Sequence, residues 1–329
     1  MSKASARQIN YGLRPAKNIE RKMMGDLFAR LSLIAPLPEY RYVGFGSTYF
    51  NDFALYHELL GINDMVSIER RGALLKRCEF NRPYKCIKLA HGESTTILPQ
   101  LDWKRRSLVW LDYDSMISAE VLQDIETVVS KARSGSVLVV SVNVEPPRPP
   151  RHDEEGNPVK NPDPHAYRRN YLENAVGPNR IPNAIAGKDL ADWGLAKVCH
   201  LVMSDQVKET LFDCNGAIDD AEQRRADQVL HFHYSDNARM LTVGWLLINS
   251  ADRAKLGAHA FDSLPFVRTD DKALLIDPPQ LTGREVRHLN RLLPTSDEDI
   301  PEVDWLPASE RKRYMAVYRY FPVFAESEL

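Results

Sequence analysis

The sequence predicts an α/β fold in which a mostly parallel sheet of seven strands is closed by an antiparallel hairpin. Three observations predict it. Five short apolar runs alternate with helical segments between residues 41 and 144, and strands that are apolar throughout belong to parallel sheets covered on both faces. Two longer strand-like runs, QVLHFHYSD and RMLTVGWLLIN, follow with only a brief turn between them, which marks an antiparallel hairpin. Four consecutive strand ends carry glycine or a carboxylate, at the edge where open parallel sheets hold their ligands.

The elements can be justified in order. Residues 16–33 (AKNIERKMMGDLFARLSL) put Ile19, Met23, Leu27 and Leu31 on one face at helical spacing. Pro15 suits the first turn of that helix and Pro36 closes it. RYVGF is the first strand, and the helix at residues 49–60 ends on Gly61. MVSIE precedes the helical RRGALLKRCEFN, and CIKLA precedes STTILPQL. SLVWLDYD precedes SAEVLQDIETVVSKAR, where Ser118 is placed to cap. SVLVVSVNV ends the series.

EPPRPPRHDEEGNPVKNPDPH is too rich in proline and charge for a core element. Residues 146–187 therefore read as a surface insertion, a long loop or flap expected to be mobile over 146–166, and helical signals resume from 188. After the hairpin, LTGREVRHLNRLLP carries Thr282 three residues before Glu285, a capping-box pattern. An acidic linker, SDEDIPEVD, leads to a last helical run, SERKRYMAVYRYF. The domain map is thus a helical segment over 1–39, a sheet domain over 40–250 and a small C-terminal helical appendage over 251–329.

Composition narrows the class. The chain has 329 residues, 43% of them hydrophobic, enough to bury a large core. A net charge of -2 gives no global field to recruit nucleic acid or an anionic membrane, so any basic site must be local. Cys78, Cys86, Cys199 and Cys214 lack paired-ligand spacing, which argues for a reducing compartment and no zinc. No apolar run has the length of a membrane span, and residues 1–17 lack the apolar centre of a signal peptide. A cytoplasmic protein with no membrane partner is expected.

The strand ends carry the chemistry. The first strand ends in Gly44-Phe45-Gly46-Ser47, a bend whose glycines would bring backbone close to a ligand. The second ends in Glu69, 23 residues beyond Gly46, where a carboxylate can accept from a ribose diol. The third ends in His91-Gly92-Glu93, and the fourth in Asp112-Tyr113-Asp114.

That order resembles a class I S-adenosylmethionine-dependent methyltransferase over residues 40–249, and GESTTILPQL before LDYD is similar to the O-methyltransferase branch, in a bacterial group of unassigned substrate. The resemblance implies a Rossmann-like sheet with S-adenosylmethionine as cofactor. It also implies that Gly44, Phe45, Gly46 and Ser47 form the loop beneath the methionine part, that Glu69 holds the ribose and Glu93 meets the adenine amine, and that Asp112 lies beside the sulfonium methyl. Two departures stand out: Tyr42-Val43 replaces the usual acid before the first glycine, and Thr48 replaces a third glycine.

Asp112 and Asp114 point to one side of an extended segment. They could share a proton-transfer role, hold Mg²⁺, or divide into a cofactor contact and a helix cap; no metal is predicted. His231 and His233 share a strand face, so His233 joins Asp112 and Asp114 as a candidate base, the alternative being two half-exposed strand residues. Arg14 and Lys17, with Arg21 one turn beyond Lys17, would meet an anionic acceptor together with Tyr113, or else form a solvated face.

The expected function is methyl transfer from S-adenosylmethionine to an oxygen or nitrogen of an unidentified acceptor. One alternative is a catalytically reduced nucleotide-binding sensor or partner module of a multi-protein assembly. The other is a nucleic-acid-modifying enzyme that docks through Arg284, Arg287 and Arg291. Nucleic acid stays open as a partner without being favoured, and the absence of Asn/Asp-Pro-Pro-Tyr after the fourth strand argues against DNA base-amino methylation. A protein partner would bind the C-terminal appendage.

Overall fold

The computed structural model describes residues 14–152, 163–216, 218–295 and 303–322. Helix α1 (Pro15–Arg30) is the first element of the described residues. Strands β1 (Arg41–Phe45), β2 (Asp64–Glu69), β3 (Ile87–His91), β4 (Ser107–Asp112) and β5 (Ser136–Asn143) alternate with helices α2 (Asn51–Leu60), α3 (Leu75–Asn81), α4 (Ser94–Ile97) and α5 (Ala119–Lys131). Helices α6 (Pro164–Val176) and α7 (Gly194–Asn215) precede the hairpin of β6 (Arg225–Ser235) and β7 (Arg239–Ile248). Helix α8 (Ser250–Leu256), strand β8 (Leu274–Ile276) and helices α9 (Gly283–Asn290) and α10 (Ala308–Val317) complete the described chain.

The sheet order is β3-β2-β1-β4-β5-β7-β6-β8. Only β7 runs against its neighbours, pairing antiparallel with β5 and β6. The seven expected strands are present. An eighth, β8, comes from residues beyond the hairpin and pairs parallel with β6 through Phe232 and Leu274.

Strand alternation divides the core in two. Tyr42, Leu108, Trp110, Val137 and Val139 pack with Ile19, Met23, Leu27 and Phe28 of α1 on one sheet face. Val43, Val109, Leu111, Leu138 and Val140 pack with α5, α6 and α7 on the other. Because successive strand side chains point to opposite faces, residue number alone decides which helix layer each one meets. Burying each large apolar side chain stabilises the fold by roughly 1.5–3 kcal/mol before the entropy of ordering is counted.

Two local features depart from the sequence expectation. The insertion at 146–187 contains α6, held by buried Leu172 and Val176, while residues 153–162 lie outside the described residues. The C-terminal region is stitched to the body: Tyr320 donates to Asp26 of α1 at 2.7 Å and packs edge-on to Phe266. The Thr282–Glu285 capping box forms in both directions, at 2.6 and 3.3 Å. Among the described residues no helix is long and apolar enough to cross a membrane.

Candidate functional site

Beyond the carboxyl ends of β1, β2 and β4 lies a cavity of about 1030 Å³. It sits where the strand order reverses, between β1 and β4, the place where open α/β sheets bind ligands. Its walls bring together eight residues expected from sequence: Phe45, Gly46 and Ser47 from the β1 bend, Glu69 from β2, Glu93 after β3, and Asp112, Tyr113 and Asp114 from β4.

Glu69 is 5% exposed, and its Oε1 accepts the Arg71 amide at 2.7 Å. Burial pushes its carboxyl above the ordinary value, against the pull of that amide and of Arg71. Ser47 accepts from the amides of Tyr49 and Phe50 at 3.2 and 3.3 Å, which sets the bend leading into α2. Tyr113 donates to Asp124 at 2.5 Å, Ser94 donates to the same carboxylate, and the Tyr113 ring meets Phe45 edge-on at 4.8 Å. One acid in α5 thereby fixes the β4 exit against α4.

Gly46 serves its neighbour strand. Its amide donates to Ile68 at 2.6 Å, and a β-carbon there would stand 3.0 Å from Ser67 Oγ and 3.2 Å from Glu69 Cβ. Gly44 does not line the cavity: the Tyr42 side chain fills the space a β-carbon would need, its hydroxyl at 3.0 Å. That hydroxyl donates to Asp52 at 2.5 Å. Asp52, in the first turn of α2, lines the cavity and puts a carboxylate near the place where the sequence lacks its acid. Burial raises its pKa against the opposing charge of Arg21.

Besides Gly44, three expected residues stand elsewhere: Lys17, Arg14 and His233. Lys17 is 3% exposed and lies behind the cavity wall. Its ammonium contacts Asp112 Oδ1 at 2.7 Å, Glu20 Oε2 at 2.8 Å and the Tyr234 hydroxyl at 3.0 Å, and it lies 4.3 Å above the Trp110 ring. Burial alone would lower its pKa, but Asp112 and Glu20 outweigh that and hold it well above the usual lysine value. Arg14 lies outside the cavity lining; burial raises the pKa of Asp236, and the charge of Arg14 works against that shift. Arg21 is the α1 cation that does line the cavity.

His233 is on the far sheet face from Tyr234. It stacks on Trp193 at 4.4 Å, while His231 stacks on His200 at 4.2 Å. Burial, reinforced by the adjoining imidazoles, lowers both His231 and His233 to about 4. Strand parity explains the separation, since Phe232 and Tyr234 take the α1 face and the histidines the α7 face. Among the described residues no three His, Cys, Asp or Glu side chains converge as a metal site.

Sequence reasoning passed over Asp52, Arg70, Arg71 and Trp110 of the lining. Arg70 and Arg71 follow Glu69 directly, so their place at a strand end was the available signal.

A mostly parallel sheet closed by one antiparallel strand is the Rossmann-like methyltransferase fold, and here the carboxylates at the ends of β2 and β4 open into one cavity. Residues 9–329 match the family described as "Putative O-methyltransferase", and the chain belongs to that family. No curated protein matches the sequence. Among solved structures, the chain is similar to NSun6 from Pyrococcus horikoshii with SFG, at 16% identity and TM-score 0.26, over 35% of this chain and 36% of that one. It is similar to the O-methyltransferase TomG from Streptomyces achromogenes in complex with SAM, at 15% identity and TM-score 0.34, over 69% and 80% of the two chains. It is also similar to Trm1 from Pyrococcus horikoshii with S-adenosyl-L-methionine, at 11% identity and TM-score 0.41, over 75% and 57%. All three are distant likenesses.

Proposed function

We propose that the chain transfers the methyl group of S-adenosylmethionine to an acceptor, with oxygen the favoured acceptor atom from the family description. The observation that carries the reading is that Glu69 and Asp112 open into the same cavity on either side of the Phe45–Ser47 bend. The residues fit the donor. Glu69 is a largely buried carboxylate with one oxygen taken by a backbone amide, and its remaining acceptor capacity suits a ribose diol. Asp112, which is 30% exposed, suits a cationic group beside it. The cavity volume is ample for donor and acceptor together.

S-adenosylmethionine, when bound, supplies a methyl group on a sulfonium that is open to in-line displacement. The protein's share is to hold the acceptor in line and to receive its proton. Glu69 would hold the ribose, Glu93 the adenine side, and Asp112 the region of the sulfonium. Asp114, exposed at the cavity mouth, is our assignment for the proton acceptor, because Asp112 is given to the sulfonium side and His233 faces away.

Calorimetry with S-adenosylmethionine and S-adenosylhomocysteine on the purified protein tests the reading. Saturable binding of both is expected, and absence of binding would overturn it.

A further inference from the structure

We propose that Lys17 is a positioning residue: it aims the Asp112 carboxylate at the cavity and makes α1 part of the donor site. This deepens the proposed function and rests on it.

The argument is geometric. An ammonium has three N–H donors, and three oxygens surround Lys17 Nζ, those of Asp112, Glu20 and Tyr234. At 3% exposure and outside the lining, Lys17 cannot touch an acceptor. Asp112 is the only one of its three partners that lines the cavity.

Lys17 is itself held from behind. Trp110 Nε1 donates to Ser141 Oγ at 3.0 Å, Ser141 and Thr242 hydroxyls meet at 2.7 Å, and Thr242 donates to Glu20. A hydroxyl has one proton. Since that of Thr242 goes to Glu20, Ser141 must donate to Thr242. The relay therefore runs in one direction, Trp110 to Ser141 to Thr242 to Glu20, and Lys17 joins Glu20 to Asp112. The Lys17 amide also donates to Asp236 at 3.2 Å, so the first turn of α1 is pinned at backbone and side chain. Parity completes the picture: Asp112 follows Leu108 and Trp110 on the α1 face, so its side chain emerges toward Lys17. In a buried polar network of this kind the loss of one member leaves its neighbours unpaired at a cost, which favours a single geometry.

The test is a double-mutant cycle read by calorimetry with S-adenosylmethionine. Four proteins are compared: the parent, Asp112→Asn, Lys17→Met with Glu20→Gln, and the combined triple variant. Replacing Lys17 and Glu20 together leaves neither charge orphaned. Asp112→Asn and the paired substitution are each expected to weaken binding about tenfold, and the triple variant no more than about tenfold, because both act through one carboxylate. Melting temperatures of all four proteins without ligand report the structural share separately from affinity, with coupling expected there too because Lys17 and Asp112 are in contact.

Unchanged affinity in the paired variant, or losses that multiply to about a hundredfold in the triple, would overturn the proposal. If the paired variant does not fold, Thr242→Val keeps both charges and cuts the relay. It should weaken binding about threefold in the parent and leave it unchanged in the Asp112→Asn background, and a loss equal in both backgrounds would refute the role. A parent protein that binds no S-adenosylmethionine would instead refute the donor assignment, and the positioning role with it.

Discussion

The Gly46 amide donates to the Ile68 carbonyl at 2.6 Å, and the end of β1 lies so close to β2 that even a β-carbon would stand 3.0 Å from Ser67 Oγ. The glycine that sequence assigns to a ligand is required first by its neighbour strand. Gly46→Val should therefore destabilise the ligand-free protein by about 1–3 kcal/mol through overpacking. Chemical denaturation without ligand checks this, and an unaltered midpoint would show that β1 and β2 can part at no cost.

Glu69→Ala should weaken S-adenosylmethionine binding by about 1–3 kcal/mol, the cost of leaving ligand hydroxyls without their charged acceptor. Its melting temperature should stay near that of the parent, since only the Arg71 amide loses a partner. Equal affinity in the folded variant would remove Glu69 from the site.

Asp124→Ala should destabilise the fold by about 1–3 kcal/mol, because the Tyr113 and Ser94 hydroxyls lose their common acceptor. Asp124→Asn, which keeps an acceptor oxygen, should recover part of the loss. Thermal unfolding of the two variants in parallel is the measurement, and equal stability of the alanine variant and parent would contradict the anchoring role.

Stability should fall as pH drops from about 6.5 to about 4. His231 and His233 are lowered to about 4 in the folded chain, so within that window the unfolded chain binds more protons than the folded one. The stabilising difference is complete above the unfolded value and is lost progressively toward the folded one. His231→Gln and His233→Gln should each flatten the stability-against-pH curve in that window. A curve that keeps its slope in both variants would place the acid sensitivity elsewhere.

Much of this was legible in sequence because alternation is a strong signal. The apolar runs of β1, β2, β4 and β5 could be read directly, and Glu69 and Asp112 stood out because each ends such a run. What escaped notice depended on distant neighbours. Glu20 looks like any acid on a helix, and nothing near it announces Thr242, 222 positions away. Asp52 reads as an ordinary acid of a first helical turn until the Tyr42 hydroxyl is placed on it. Helix α6 has only Leu172 and Val176 fully buried, too few to show a period. Strand β8 is three residues long and pairs on one side only. The exchange of His233 for Tyr234 at the Lys17 cluster is a matter of one residue in phase, fixed only when α1 settles on its sheet face.

The partners of α1 also set a timetable. Alongside Tyr56 and Asp112, which come earlier, its polar partners include residues made far later: Tyr234 and Asp236 for Lys17, Thr242 for Glu20 and Tyr320 for Asp26. At translation speeds of about 5–20 residues per second, the helix leaves the ribosome roughly 10–45 s before Thr242 exists. Ile19, Met23, Met24, Leu27 and Phe28 can pack on Tyr42, Leu108, Trp110, Val137 and Val139 once β1 to β5 have been made, but the polar partners from the hairpin are still missing throughout that interval. The earliest made of the described helices is thus among the last to be fully pinned, and nascent chains stalled before β6 should hold α1 by apolar packing alone.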